Sequence, residues 1–296
     1  MTETNGSGGG PGAADSGAES SDVADSAAGI VVPIAWLADR LDDPTVRVVD
    51  VRDAWEYDAM GHVPGAVNVP FDTFRDREGP DAGTLPGAAA FADLLGEVGI
   101  DRSDTIVAYD DTNGVFAARF LVTALVYGFE DVHLLDGDFS AWKRADSAPP
   151  DPVENEPVAP DPVAVEPMRV EGPDSPIIGY DDVVSLLESP GDDVVFVDTR
   201  DADEYAAGHL PGAVRFDWTE AVDPDTRGFR SKSELRDRFA ERGITPDRPV
   251  VLYCNTARRL SHTYVALRWI GFEDVHIYEG SLTDWRERGG DLVAED

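Results

Sequence analysis

The sequence is poor in sulfur, in lysine and in long apolar runs. A single cysteine, Cys254, stands among 296 residues. One thiol excludes an intramolecular disulfide framework and any metal site built from a cysteine cluster. Lysine occurs only as Lys143 and Lys232, so arginine carries almost all the positive charge. Acidic residues number 59 against 24 basic ones, a net charge of −35. Such a surface repels nucleic acid and anionic membranes, and neither is expected as a partner. It also repels small anions at long range, so an anion site needs a strong local positive field. The sequence has no run of 18 apolar residues, which predicts no membrane span. The N-terminus shows no basic segment leading into an apolar one, so it does not read as a secretory signal, and a cytoplasmic protein is expected. Acidity spread over both halves resembles that of proteins from salt-rich cytoplasm, where ions screen self-repulsion.

What remains is ample for two domains, with 42% hydrophobic residues to fill their cores. Residues 1–28 are Gly, Ser, Ala, Asp and Glu with almost nothing apolar, and are expected to be a disordered tail. From Gly29 the pattern alternates. Ile30–Val32 reads as a strand, Pro33–Leu41 as a short helix, and Val46–Val51, Thr105–Tyr109 and Val132–Leu135 as strands. Residues 146–172 are rich in Pro, Glu, Asp and Val and read as an extended, partly polyproline-like linker. The pattern then recurs over 173–296, with strands expected at Val194–Asp198, Val250–Tyr253 and Val275–Tyr278.

The second half repeats the first. Val49-Asp50-Val51-Arg52 returns as Val197-Asp198-Thr199-Arg200, and Gly61-His62-Val63-Pro64-Gly65 as Gly208-His209-Leu210-Pro211-Gly212. Gly128-Phe129-Glu130-Asp131 returns as Gly271-Phe272-Glu273-Asp274, and Trp142 as Trp285. A period this long means one domain duplicated, with the domains spanning 29–145 and 173–296. Strands alternating with helices predict an α/β fold with a parallel sheet in each copy.

Cys254 lies at the end of an apolar strand and before a helix expected from about Leu260 to Gly271. Open α/β sheets place ligands at such strand-to-helix turns. A loop curling into a helix gathers inward N–H groups, and Arg258 and Arg259 add full charges, so the turn suits an anion and stabilises a thiolate. A buried structural cysteine is the bland alternative, and two arginines in the same turn argue against it.

The ordered set of motifs resembles the two-domain rhodaneses, the thiosulfate sulfurtransferases. It consists of Asp198-x-Arg200 with Glu204-Tyr205, Gly208-His209-Leu210-Pro211-Gly212-Ala213, the loop Cys254–Arg259, and Tyr278-Glu279-Gly280 with Trp285. The resemblance covers about Gly29–Ala145 and Pro173–Leu292. It implies two tandem rhodanese-like domains, each a mainly parallel sheet flanked by helices. It implies that Cys254 takes the sulfane sulfur of thiosulfate as a persulfide and passes it to cyanide or a thiol, with no metal or organic cofactor. The partners implied are a small-molecule sulfur donor and acceptor, and a thiol-containing protein is a further acceptor. Arg259, Arg258, Asn255, Thr256 and Ala257 would bind the substrate, Arg259 also closing the loop. Asp198 and Arg200 would brace that loop through hydrogen bonds. His209 and Trp285 recur as His62 and Trp142, which favours structural roles for both pairs.

Asp110 falls where the first copy should have its cysteine, so the first domain reads as catalytically silent. Other departures concern the second copy. Ala257 stands where the family often has Gly, and Leu260 where it often has a hydroxyl that Ser261 could replace. Glu204 is an acid where some relatives carry a substrate-binding arginine. Rival readings are a 3-mercaptopyruvate sulfurtransferase, a sulfur carrier or regulatory module, and a cysteine phosphatase. The phosphatase loop needs five residues between Cys and Arg, and here there are four, Asn255 to Arg258.

Overall fold

A computed structural model describes residue 1 and residues 29–76, 83–189 and 193–294. The tail expected over residues 1–28 lies outside the described residues, Met1 apart.

The first copy runs β1 (Val31–Pro33), α1 (Ile34–Ala38), β2 (Val46–Asp50), α2 (Ala54–Met60), β3 (Val67–Asn68), α3 (Ala88–Glu97), β4 (Thr105–Tyr109), α4 (Val115–Val126), β5 (Val132–Asp136) and α5 (Phe139–Trp142). The second runs β6 (Ile177–Ile178), α6 (Tyr180–Glu188), β7 (Val195–Asp198), α7 (Ala202–Ala207), β8 (Val214–Arg215), α8 (Lys232–Ala240), β9 (Val250–Tyr253), α9 (Arg258–Trp269), β10 (Val275–Tyr278) and α10 (Ser281–Glu287). Both sheets have five parallel strands in the same order, β1-β5-β4-β2-β3 and β6-β10-β9-β7-β8. The apolar runs Ile106–Tyr109 of β4 and Val250–Tyr253 of β9 are explained by this: each is the central strand, covered on both faces.

Helix boundaries move from the expected ones for local reasons. The helix expected over Pro33–Leu41 is confined to Ile34–Ala38, because Pro33 completes β1. The helix after Cys254 starts at Arg258, not Leu260. Ala257 adopts the left-handed conformation, φ 59° and ψ 1°, and turns the chain in three residues. Gly271, at φ 100°, ends that segment.

Residues between Trp142 and Gly172 form no helix or strand. They string along the first domain instead. Glu154 bridges His62, Val163 N–H donates to the Gly96 carbonyl, and Val170 N–H to the Val126 carbonyl. A Cβ at Gly61 would meet the Glu154 carbonyl at 2.8 Å, so glycine is needed where this strap crosses. In the second copy Val293 takes the same place against His209.

The two copies share one interior. A single cluster of buried apolar side chains runs from Phe91 and Phe120 in the first domain to Leu260, Leu267 and Phe272 in the second. Its seam is α4 packed against α9. Satellite clusters fill the outer face of each sheet, anchored by Trp142 in one and Trp285 in the other. Ion pairs rim the seam: Arg119 meets Glu279 at 2.7 Å, and Arg227 clasps Asp138. Among the described residues no helix is long and apolar enough to cross a membrane.

Candidate active site

Cys254 sits at the C-terminal end of β9 and is 1% exposed. Its N–H donates to Ser281 Oγ at 3.1 Å, and its carbonyl accepts from Leu282 N–H at 3.1 Å. Ser281 itself has φ 51°, so two strained residues, Ser281 and Ala257, flank the cysteine. No acceptor among the described residues takes the N–H groups of Asn255 to Arg258. These donors curl toward the start of α9, whose dipole adds partial positive charge.

The first domain shows what such a loop holds when filled. Asp110 ends β4 as Cys254 ends β9. Its Oδ1 accepts from the N–H groups of Thr112 and Gly114 at 2.7 and 2.8 Å. Its Oδ2 accepts from Phe116 and Ala117 at 2.7 and 3.1 Å. Gly114 then turns left-handed into α4, as Ala257 does into α9. Burial pushes the Asp110 carboxyl above the usual range, and the four amides pull the other way. The loop of the first domain is thus an anion cradle occupied by its own side chain.

Arg259 is clamped. Its Nη1 and Nη2 both donate to Glu204, with Nη2 to Oε1 at 2.9 Å, and Asn255 Nδ2 reaches the same carboxylate at 2.7 Å. Hydrogen bonds from Arg259, set against burial, lower Glu204 to about 2. Arg259 therefore fastens the loop to α7 instead of facing open space, and Glu204, one residue after the acidic start of that helix, is what draws it there. Arg258 is different. It is half-buried, its guanidinium carbon lies 4.8 Å from the Phe116 ring centre, and it has no carboxylate or carbonyl partner among the described residues. Thr256 is exposed and Ala257 buried.

Two expectations fail locally. Ser261 Oγ donates to the Ala257 carbonyl at 2.6 Å, so it steadies the first turn of α9 and does not stand in for a hydroxyl at position 260. Asp198 and Arg200 do not bond to the cysteine loop. Arg200 binds Asp198 and the Gly208 carbonyl, while the Tyr253 hydroxyl joins Asp198 to the Leu210 N–H. The same set recurs around Asp50, Arg52, Gly61, Tyr109 and Val63 in the first copy. It is a device for holding the β-strand end to the following turn. His209 and His62 likewise stack on Tyr205 and Tyr57 at 3.8 and 3.9 Å.

Between the domains, beside Arg258, opens a cleft of about 340 Å³. It lies over the first domain's own loop, walled by Arg52, Asp53, Phe71, Arg75, Asp110 and Phe116, with Arg258 reaching in from the second domain. A second cleft of about 260 Å³ flanks the loop at Asn255 and Thr256, with Glu279 and Gly83 opposite.

Fold and loops define a duplicated α/β domain in which one strand-to-helix loop carries a cysteine and the other is filled by its own carboxylate. The chain belongs to the rhodanese-like domain family, whose model matches residues 33–145 and 160–288. It is 33% identical over 268 residues to a thiosulfate sulfurtransferase of Pseudomonas aeruginosa, covering 86% of this chain and 93% of that one. It is 32% identical over 291 residues to the sulfur carrier protein TtuD of Thermus thermophilus, covering 90% and 96%. The structure of the 3-mercaptopyruvate sulfotransferase SseA from Escherichia coli superposes with a TM-score of 0.74 at 27% identity, covering 86% of this chain and 99% of that one.

Proposed function

We propose that the protein transfers the sulfane sulfur of thiosulfate to a thiol or cyanide through a persulfide on Cys254. The observation that carries this reading is the contrast between the two loops. One cradle is filled by the Asp110 carboxylate, and the other presents a cysteine and open N–H donors.

In the first step the Cys254 thiolate attacks the outer sulfur of the donor. A bond forms between Sγ and that sulfur, the donor's own S–S bond breaks, and its electron pair leaves with sulfite. The persulfide's negative charge then lies among the amides of Asn255, Thr256 and Ala257. Each hydrogen bond to a charged group is worth about 1.5–3 kcal/mol. An acceptor thiolate or cyanide next attacks the outer sulfur, and Sγ departs as thiolate. Arg259, held by Glu204, keeps the loop closed through both steps. Asp198 and Arg200 act one layer below, through Tyr253. A dianionic donor favours the reading with arginines in the loop, and similarity to relatives named for thiosulfate supports it.

The test is sulfur transfer by purified protein in high salt, with thiosulfate and 3-mercaptopyruvate as separate donors and Cys254→Ala as control. Thiocyanate from thiosulfate, lost in the variant, is expected. Turnover of mercaptopyruvate alone would keep the persulfide and change the donor. Folded protein inactive with both donors would refute the enzyme reading and leave a carrier or regulatory role.

A further inference from the structure

Corresponding positions around the two loops carry different charges. α4 and β5 match α9 and β10 residue for residue, so Asp136 and Asp138 answer to Glu279 and Ser281, and Arg119 to His262. At the first loop these positions add acid to acid. Asp110 fills the cradle, Arg227 clasps Asp138, and Asp136 accepts from the Phe229 N–H at 2.9 Å. At the cysteine loop two of the three acids are gone, Cys254 standing for Asp110 and Ser281 for Asp138. The third, Glu279, remains and is met by a buried cation. Arg119 reaches it from α4 of the first domain, Nη2 to Oε1 at 2.7 Å, with side chains 1% and 13% exposed. His262, in the place of Arg119 at the other loop, bonds the Asn113 carbonyl instead. A pair that served folding alone would recur in both copies, as the Asp198–Arg200 set does. This one stands only on the side of the cysteine.

Contacts tie the pair to Cys254. Glu279 lies in the turn between β10 and α10, and that turn carries Ser281. Ser281 Oγ accepts from the Cys254 N–H and donates to the Tyr278 carbonyl at 2.9 Å, while the Leu282 N–H closes on the Cys254 carbonyl. Glu279 also walls the cleft that Asn255 and Thr256 share. A bare carboxylate there would oppose a thiolate and an anionic donor alike. We propose that Arg119 is a positioning residue for Cys254: it neutralises Glu279 and pins the turn that holds the cysteine backbone, leaving the positive field of Arg258 and the loop amides unopposed. This rests on the reading of Cys254 as a nucleophile and deepens it. Charge also reaches the loop from Arg259 on α9, Glu204 on α7, and Asp284, Glu287 and Arg288 at α10. All of these stay in place in the variants below.

The experiment titrates the lone thiol by its ultraviolet thiolate absorbance, read against Cys254→Ala, at constant salt. It uses the full chain, Arg119→Gln, Glu279→Gln and the double variant. The thiol midpoint should rise by about 0.5–1 unit in Arg119→Gln, where the carboxylate is left bare, and fall by about as much in Glu279→Gln. In the double variant it should return close to that of the unmodified chain. The acid limb of kcat/KM, for whichever donor turns over, should move with it. Melting curves supply the structural control, because Arg119→Gln and the double variant have both lost the ion pair. Equal thiol midpoints in those two would overturn the proposal. So would a midpoint in Glu279→Gln no lower than that of the unmodified chain. Glu279→Gln keeps Arg119 and decides the matter if Arg119→Gln does not fold. If neither donor loads sulfur on the unmodified chain, the sulfurtransferase reading fails, and the thiol titrations still judge this one.

Discussion

His262 makes the seam between the domains sensitive to acid, by an amount the structure allows to be worked out. The imidazole lies on α9 and is 1% exposed. It sits between the Trp218 ring at 5.1 Å and the Phe229 ring at 4.7 Å, with Nε2 3.1 Å from the Asn113 carbonyl of the first domain. Burial lowers its pKa from 6.5 to about 3, against the pull of that carbonyl. The folded protein thus keeps the ring neutral, while the unfolded chain binds a proton below pH 6.5. A depressed value contributes its full stability above 6.5 and loses it as pH falls toward 3. At 1.36 kcal/mol per unit, acidification from 6.5 to 5 removes about 2 kcal/mol. For a chain of this size that is a fall of about 4–8 °C in Tm. Two buried acids work the other way. Asp110 and Asp136 are raised by burial, so each adds stability as pH drops. Comparison with His262→Gln cancels them. Melting curves from pH 7 to 5 in constant high salt should show the unmodified chain losing about 2 kcal/mol more than the variant over that range. Parallel curves would refute the argument, whatever the variant's absolute stability.

Asp110→Asn keeps the size of the side chain and turns one oxygen into an amide nitrogen. Two buried N–H groups then face a donor, at a cost of about 2–4 kcal/mol, read as a lower denaturation midpoint in guanidinium. An unchanged midpoint would mean that the cradle does not hold the carboxylate tightly. Ala257→Gly removes a left-handed alanine, which costs about 1–2 kcal/mol, and pays back part of that in chain entropy. A net gain of up to about 1 kcal/mol is expected in the same assay, and destabilisation would count against strain at this turn.

Much of the architecture was legible because turn chemistry repeats. The Gly-His-x-Pro-Gly turns and the central strands Thr105–Tyr109 and Val250–Tyr253 stand where alternation and repetition put them. The reading was weaker wherever a side chain's partner lies far along the chain. Arg259 reads as a substrate ligand from the loop alone, and its ion pair with Glu204, 55 residues earlier, is a partner no local pattern marks. Asp198 and Arg200 looked like loop braces, although their recurrence as Asp50 and Arg52 in the copy without a cysteine already pointed to folding instead of chemistry. The contact of Arg258 with Phe116 was out of reach, because no local pattern says which side chain of the other domain will lie beneath it. The two-residue shift at the start of α9 has a simple cause: Ala257 does what glycine usually does, so no glycine marked the turn.

The apolar cluster that crosses from α4 to α9 makes the two halves an indivisible pair. Deletion of the first half would strip α9, the helix that begins at the cysteine loop, of the surface it is packed against, and would leave its apolar side in water. The first half is therefore held by a mechanical role that is independent of any chemistry at its own loop. Changes on α4 that never approach a substrate should reach the cysteine loop through the register of two touching helices.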